Sequence, residues 1–86
     1  MTLTNEHGLH ARPGARLVSL VSDYDVEVTA ENLTKGRGPV DADSIIMLAT
    51  LGAENGHEVR FEAIGPDADA ALEAIADLAA RNFDDT

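Results

Sequence analysis

The chain has 86 residues, enough for one domain over residues 1–86, and no cysteine, which excludes disulfides and thiolate metal sites. Sixteen acidic and six basic residues give a formal net charge of −10, which argues against nucleic acid or an anionic membrane as a partner. No apolar run approaches the ~20 residues of a membrane span and no signal-peptide pattern is present, so we expect a cytoplasmic protein.

The excess of acidic residues suggests a protein that works in high salt, where a short screening length reduces repulsion between its carboxylates. Lys35 is the only lysine, which agrees with this halophile hypothesis. The alternative is an ordinary acidic bacterial protein. Thermal stability that rises strongly with molar KCl would favour the halophile.

The N-terminal part is predicted to form a short strand, a turn and a helix. Residues 1–4 alternate weakly between apolar and polar side chains, and residues 5–8 have the composition of a turn. From Ala11 to Ser22, apolar positions recur with the spacing of a helix that buries one face. Pro13 is compatible with a helix only in its first turn, so the helix must begin close to His10.

Alternating apolar and polar residues predict the strands that follow. The segment from Tyr24 to Glu31 alternates cleanly and indicates a half-buried strand. A turn-rich stretch leads to Pro39–Asp41, which we interpret as a short edge strand. A third alternating segment runs from His57 to Ile64, with its apolar residues on one face and its charged residues on the other.

Two more helices complete the chain. Ser44 is placed to cap a short helix from Ile45 to Leu51, and Gly52 ends it. A last helix follows Asp67, with the regular apolar stripe Ala68, Ala71, Leu72, Ile75, Leu78 and Ala79. The order β-α-β-β-α-β-α predicts an α+β open-faced sandwich, with helices on one face of a mostly antiparallel sheet.

The stretch Gly8-Leu9-His10-Ala11-Arg12-Pro13 is the candidate site. A neutral imidazole at His10 can take up a phosphoryl group and release it again. The free N–H groups at the start of the helix, at Ala11 and Arg12, can bind the phosphate oxygens, and the Arg12 guanidinium offers a forked donor. No metal or other cofactor is required for this chemistry.

Two other interpretations of the same residues stay open. His10 could be a helix cap or a turn residue, with Arg12 a solvated charge. His7 and His10, with Glu6 beside them, could bind a metal ion, although no further ligand is obvious. His57, at the start of a predicted strand, is expected to be an exposed surface residue.

The motif around His10 resembles the active-site motif of the histidine-containing phosphocarrier protein (HPr) family of the phosphoenolpyruvate-dependent sugar phosphotransferase system. The segment from Asp43 to Gly52 is similar to the second helix of that family, which in many members begins with a regulatory serine. The matching length and order extend the resemblance over nearly the whole chain. It implies a four-stranded antiparallel sheet covered by three helices.

The resemblance also implies a function. His10 would accept a phosphoryl group on Nδ1 from phosphorylated enzyme I and pass it to a sugar-specific enzyme IIA, such as that of a fructose transporter, while Arg12 steadies the phosphate. The protein would be a monomeric carrier with no turnover of its own and no cofactor. The residues that line its docking surface would be Ala15, Arg16, Ile45, Ile46, Met47 and Ala49.

Several alternatives accompany this hypothesis. Ser44 could be phosphorylated by a serine kinase or could only cap its helix, and the acidic Asp43 stands where many regulated members have a basic residue. The acceptor could be a dihydroxyacetone kinase. The protein could instead be a regulatory relative that controls a kinase or transcription factor, or a small ligand-binding module. The first strand looks short for the family, and the docking surface has little positive charge.

Overall fold

A computed structural model describes residues 1–84, which fold into three helices and a three-stranded sheet. A single 3-10 turn, Asn82–Asp84, follows the last helix. In chain order the elements are α1 (Ala11–Ser22), β1 (Glu27–Asn32), β2 (Arg37–Asp41), α2 (Ile45–Ala49), β3 (Val59–Ile64) and α3 (Ala68–Ala80). No helix in residues 1–84 is long and apolar enough to cross a membrane.

The sheet has the order β2-β1-β3, and both pairings are antiparallel. The central strand β1 pairs with β3 so that Val28 lies opposite Ala63 and Ala30 opposite Phe61. Its other edge pairs with β2, with Val40 opposite Ala30. β2 is therefore an edge strand, as its Pro39 predicted.

The prediction that residues 1–4 form a first strand is not confirmed, and the structure has three strands where the resemblance implied four. Thr2 makes a single antiparallel bridge to Glu58. Met1 and Val59 exchange two backbone hydrogen bonds of 2.8 Å, and Leu3 donates to the carbonyl oxygen of His57 at 2.9 Å. The segment thus follows the edge of β3 for three residues, too short a stretch to count as a strand.

Several predicted boundaries are corrected, and β2 begins at Arg37 rather than Pro39. β1 begins at Glu27 rather than Tyr24, because the backbone of Asp25 pairs instead with Asp67. β3 begins at Val59 rather than His57. α2 ends at Ala49 rather than Leu51, because Thr50 and Leu51 donate to carbonyls three residues back, which tightens the last turn.

The core lies between the sheet and the helices. α1 buries Leu17 and Val21, and its bounds are those the sequence predicted. α3 packs against β3 and α1, and α2 against α1. Burial of one such large apolar side chain stabilises the fold by about 1.5–3 kcal/mol. Further buried side chains come from the other elements except β2 and from the loops, and they include Leu3, Leu9, Val28, Ala30, Leu48, Leu51, Val59, Ile75, Leu78 and Phe83.

Phe83 is a core residue that the sequence pattern missed. It lies in the 3-10 turn after α3 and is 1% exposed. The helical stripe of α3 ends before it, so periodicity alone gave no reason to place this aromatic ring inside.

Candidate functional site

His10 stands immediately before α1, in the N-cap position, with an extended backbone (φ −97°, ψ 161°). Its backbone N–H donates to the carbonyl oxygen of His7 at 3.1 Å. Its side chain makes no capping hydrogen bond and is partly exposed. The imidazole itself is therefore not used as a cap, although His10 occupies the N-cap position.

The first turn of α1 presents backbone N–H groups next to this imidazole. Ala11 and Arg12 have no acceptor within the helix because they belong to its first turn, and Pro13 has no N–H to leave unpaired. The Arg12 side chain is exposed and forms no ion pair with any of residues 1–84. Two backbone donors and one guanidinium are thus available to an anion at the start of the helix.

Ala11 adopts a left-handed backbone conformation, with φ of +50°. A residue with a Cβ atom is strained there, at a cost of about 1–3 kcal/mol, and such strain persists only where the surrounding structure enforces it. The turn into α1 is consequently set by the loop before it, and not by the preference of Ala11 itself.

The loop is held against a turn about 45 residues further along the chain. Leu9 is buried and donates its N–H to the carbonyl oxygen of Ala53 at 3.0 Å. Gly8 has φ of +58°, and an added Cβ would lie 2.1 Å from the same carbonyl oxygen. Asn5 donates through Nδ2 to the carbonyl oxygen of Gly8 at 2.7 Å, and Asn55 donates to that of Asn5 at 3.2 Å. These contacts fix the position of His10.

His10 faces an open cleft of about 380 Å³, which is lined by Glu6, His7, His10, Glu54 and Asn55. Sequence reasoning missed Glu54 and Asn55, since no motif connects them to the histidine. The cleft has two carboxylates on its walls, so an anion bound at His10 would lie near negative charge. No group of three or more His, Cys, Asp and Glu side chains in residues 1–84 is arranged to hold a metal ion.

The short helix α2 packs against α1 and exposes apolar side chains. We call Ile45, Ile46 and Met47 the α2 patch; their exposed fractions are 46%, 75% and 41%. Leu48 turns inward and is fully buried. The predicted cap is confirmed, because Ser44 Oγ accepts a hydrogen bond of 3.3 Å from the N–H of Met47.

Comparison with known proteins identifies the family. The family model described as "PTS HPr component phosphorylation site" matches residues 1–81. This chain belongs to the HPr family. Members of this family are phosphocarriers of the phosphotransferase system, without independent turnover.

Among HPr relatives, the phosphocarrier protein NPr of Escherichia coli K12 is 36% identical over 83 residues, which cover 96% of this chain and 90% of NPr. The multiphosphoryl transfer protein of Salmonella typhimurium LT2 is 45% identical over 76 residues. The match covers 88% of this chain but only 20% of that relative, so the chain spans about a fifth of it.

The fold is that of solved HPr structures. HPr-C-His from Thermoanaerobacter tengcongensis superimposes with a TM-score of 0.91 and 31% identity, over 100% of this chain and 93% of that one. HPr from Bacillus anthracis gives a TM-score of 0.83 and 29% identity, over 92% and 90% of the two chains.

The two arginines of the HPr motif region are used differently. Arg16, predicted to lie on the docking surface, donates through Nη1 to the carbonyl oxygen of Phe83 at 2.8 Å and to that of Asp84. Its guanidinium therefore fastens the C-terminal turn to α1. Arg12 makes no such bond to any residue from 1 to 84. Ala15 and Ala49, two further predicted docking residues, are exposed on α1 and α2.

His57 is partly buried, so the prediction of an exposed surface residue is wrong. Its Nδ1 accepts a hydrogen bond of 3.1 Å from the N–H of Glu54 and lies 3.2 Å from Nδ2 of the buried Asn32. The ring thus supports the turn that forms one wall of the cleft. Only a contact between distant parts of the chain could reveal this role.

Proposed function

We propose that this HPr-family protein accepts a phosphoryl group on Nδ1 of His10 from phosphorylated enzyme I and passes it to a sugar-specific enzyme IIA. The observation that carries the proposal is the placement of a partly exposed imidazole directly before the free N–H groups of α1. The phosphate oxygens would accept hydrogen bonds from the N–H groups of Ala11 and Arg12 and from the Arg12 guanidinium.

The transfer step is a simple displacement. The lone pair of Nδ1 attacks phosphorus while the bond between phosphorus and the donor atom of enzyme I breaks, and the donor atom keeps that electron pair. The positive end of the α1 dipole would stabilise the negative charge of the phosphoryl group once it is bound to His10. Glu6 and Glu54, on the cleft walls, would repel the phosphate and help to keep it easily transferable.

The docking surface would combine the α2 patch with Ala15, Ala49 and the exposed part of Arg16. An exposed apolar cluster of this kind commonly marks a partner surface. Since the chain carries a formal net charge of −10 and few cations near His10, docking would depend on apolar contact or on salt that screens the charge. We therefore expect the protein to act as a monomer in a salt-rich cytoplasm, where salt screens its negative charge.

A dihydroxyacetone kinase is a second candidate acceptor of the phosphoryl group. The phosphoryl donor subunit DhaM of a PEP-dependent dihydroxyacetone kinase, from Klebsiella michiganensis, is 39% identical over 83 residues. These cover 96% of this chain and 17% of DhaM. A dihydroxyacetone kinase is therefore an alternative destination for the phosphoryl group. Regulation through phosphorylation of Ser44 by a serine kinase stays a prediction, beside its confirmed role as a cap.

The test uses purified enzyme I and labelled phosphoenolpyruvate. Wild-type protein should take up one acid-labile, base-stable phosphoryl group, and His10→Ala should take up none. The matched control is His7→Gln, which changes the other histidine of the same cleft and should still be labelled. Acid-labile label on His10→Ala would overturn the proposal.

A further inference from the structure

One peptide group links His57 to the loop before α1. It joins Ala53 to Glu54, in a turn that we define as residues 51–57 and call the supporting turn. The N–H of this peptide donates to Nδ1 of His57 at 3.1 Å, and its carbonyl oxygen accepts a hydrogen bond of 3.0 Å from the N–H of Leu9. Because a peptide group is planar and rigid, a rotation that breaks one of these bonds also displaces the other.

The loop before α1 fits closely against this peptide and has little room to adjust. Gly8 passes so near that an added Cβ atom would lie 2.1 Å from the carbonyl oxygen of Ala53. The side chain of Asn55 makes a second contact, since its Nδ2 donates to the carbonyl oxygen of Asn5 at 3.2 Å. The stretch directly before His10 therefore follows the position of the supporting turn.

A buried asparagine ties the supporting turn to the sheet. Asn32 is the last residue of β1 and is fully buried. Its Nδ2 donates to the carbonyl oxygen of Leu51 at 3.0 Å and lies 3.2 Å from Nδ1 of His57. Its Oδ1 accepts a hydrogen bond of 3.1 Å from the N–H of Lys35. One side chain thus connects both ends of the supporting turn to the central strand.

These contacts determine the tautomer of His57. A backbone N–H can only donate, so Nδ1 must keep its lone pair, and the proton of the neutral ring is on Nε2. The amide of Asn32 is oriented by its other partners, because the carbonyl group of Leu51 requires a donor and the N–H of Lys35 requires an acceptor. Its second amide hydrogen therefore points at the same ring nitrogen, and two donors share one lone pair.

His57 lies outside the cleft that it supports. The ring is partly buried and is not among the residues that line the cleft beside His10. Any effect of the ring on His10 must therefore pass through the backbone of the supporting turn. The peptide between Ala53 and Glu54 is the shortest such route, since it is bonded to the ring on one side and to the loop on the other.

We propose that His57 is a positioning residue for phosphoryl transfer at His10. By accepting the N–H of Glu54, Nδ1 fixes the carbonyl oxygen to which Leu9 is bonded, and so determines where the adjacent His10 stands. This inference rests on the proposed function, because it assigns the residue a part in that transfer. The ring itself exchanges no proton or phosphoryl group in the reaction.

The tautomer can be measured without any partner protein. In ¹⁵N-labelled full-length protein, long-range correlations between ring hydrogens and ring nitrogens are recorded in alkaline buffer, where imidazole is neutral. His57→Asn identifies the signals of His57 by their loss. We expect an unprotonated Nδ1 and a proton on Nε2. A proton on Nδ1 of the neutral ring would overturn the inference.

Two substitutions at position 57 separate the acceptor atom from the ring. His57→Asn keeps an acceptor, because Oδ1 of asparagine is bonded to Cγ as Nδ1 is, whereas His57→Phe keeps a ring without an acceptor. With purified enzyme I and phosphoenolpyruvate, His57→Phe should lower kcat for phosphorylation about tenfold and leave KM within about twofold, since the α2 patch is unchanged. His57→Asn should restore kcat to within about threefold of wild type.

Ile75→Val is the matched control for stability. It removes a methyl group from the buried face of α3, which packs against β3 and α1, and should lower the Tm without changing kcat of the folded protein. All rates are measured at a temperature at which circular dichroism shows each variant folded. If His57→Phe does not fold, His57→Gln takes its place, because the glutamine amide lies one bond farther from Cα.

Two kinetic results would contradict the inference: an unchanged kcat in the variant that lacks or misplaces the acceptor, or an equal loss in His57→Asn. A lower Tm with an unchanged kcat would leave His57 with a structural role only, as for Ile75→Val. Failure of the proposed function looks different, because the wild type itself would then take up no phosphoryl group. That result overturns both proposals, whereas a labelled wild type with an unaffected His57→Phe overturns only this one.

Discussion

The loop before α1 and the short helix α2 differ in how they are held. The loop is fixed by hydrogen bonds to a distant turn and includes the buried Leu9 and the left-handed Gly8; the first residue of α1, Ala11, is left-handed as well. α2 has five residues, buries Leu48 and leaves the α2 patch in solvent. The proposed chemistry thus lies at the end of the tightly held loop. The proposed docking surface lies on α2, which is anchored by one buried side chain.

The difference has a physical reason. Phosphoryl transfer requires the imidazole and the phosphate-binding donors within a fraction of an ångström of their working positions, so strain at Ala11 is tolerated when the loop enforces it. Docking through apolar contact depends on a few large side chains, whose rotamers can adjust when the partner binds. Substitutions in the loop should therefore lower the stability of the fold, whereas substitutions in the α2 patch should lower the affinity for a partner.

Gly8→Ala should give the largest effect, because its Cβ would collide with the carbonyl oxygen of Ala53. We expect a loss of about 3 kcal/mol or more in the free energy of unfolding, from overpacking added to the left-handed φ. Gly36→Ala is the matched control: its φ is +66°, and nothing lies within 4 Å of the added Cβ. It should cost only about 1–2 kcal/mol.

Urea denaturation of both variants measures the difference. Equal losses for Gly8→Ala and Gly36→Ala would mean that the contact with Ala53 does not fix the loop. A larger loss at Gly8, with a matching fall in the rate of His10 phosphorylation at temperatures where the variant is folded, would show that the contact positions the site.

Ile46→Ser should leave stability within about 0.5 kcal/mol, because the side chain is 75% exposed. If the α2 patch docks enzyme I, the KM for phosphorylation should rise about tenfold, equivalent to about 1.4 kcal/mol of binding. Leu48→Ala, at the buried position of the same helix, should instead cost about 2–5 kcal/mol of stability. An unchanged KM in the folded Ile46→Ser protein would remove α2 from the docking surface.

The contrast also explains what the sequence could predict. α1 has the predicted bounds because Pro13 and a regular apolar stripe are local signals, and the Ser44 cap is local as well. The wall of the cleft formed by Glu54 and Asn55 depends on hydrogen bonds across about 45 residues, for which periodicity carries no information. The residues around His10 indicated the candidate site by themselves. The family resemblance added its partners and a fourth strand, and that strand is not confirmed, since residues 1–3 reach only Val59.

The smallest effect on stability is expected at Ser44, which caps α2. Ser44→Ala removes the acceptor for the N–H of Met47 and should cost about 1 kcal/mol. For a domain of this size that corresponds to a fall of roughly 4–8 °C in Tm. Ser44→Asp keeps a carboxylate acceptor at the cap, so its stability at neutral pH should equal that of wild type. Calorimetry of the two variants measures this contribution directly.

The same pair of variants distinguishes the capping role of Ser44 from a regulatory role. Ser44→Asp adds negative charge beside the α2 patch without removing the cap. If charge at this position controls docking, Ser44→Asp should be phosphorylated by enzyme I more slowly than Ser44→Ala, although it is the more stable of the two. Equal rates would leave Ser44 with its structural role alone. Docking on α2 would then depend on apolar contact, and the chemistry at His10 would be insensitive to the charge of this helix.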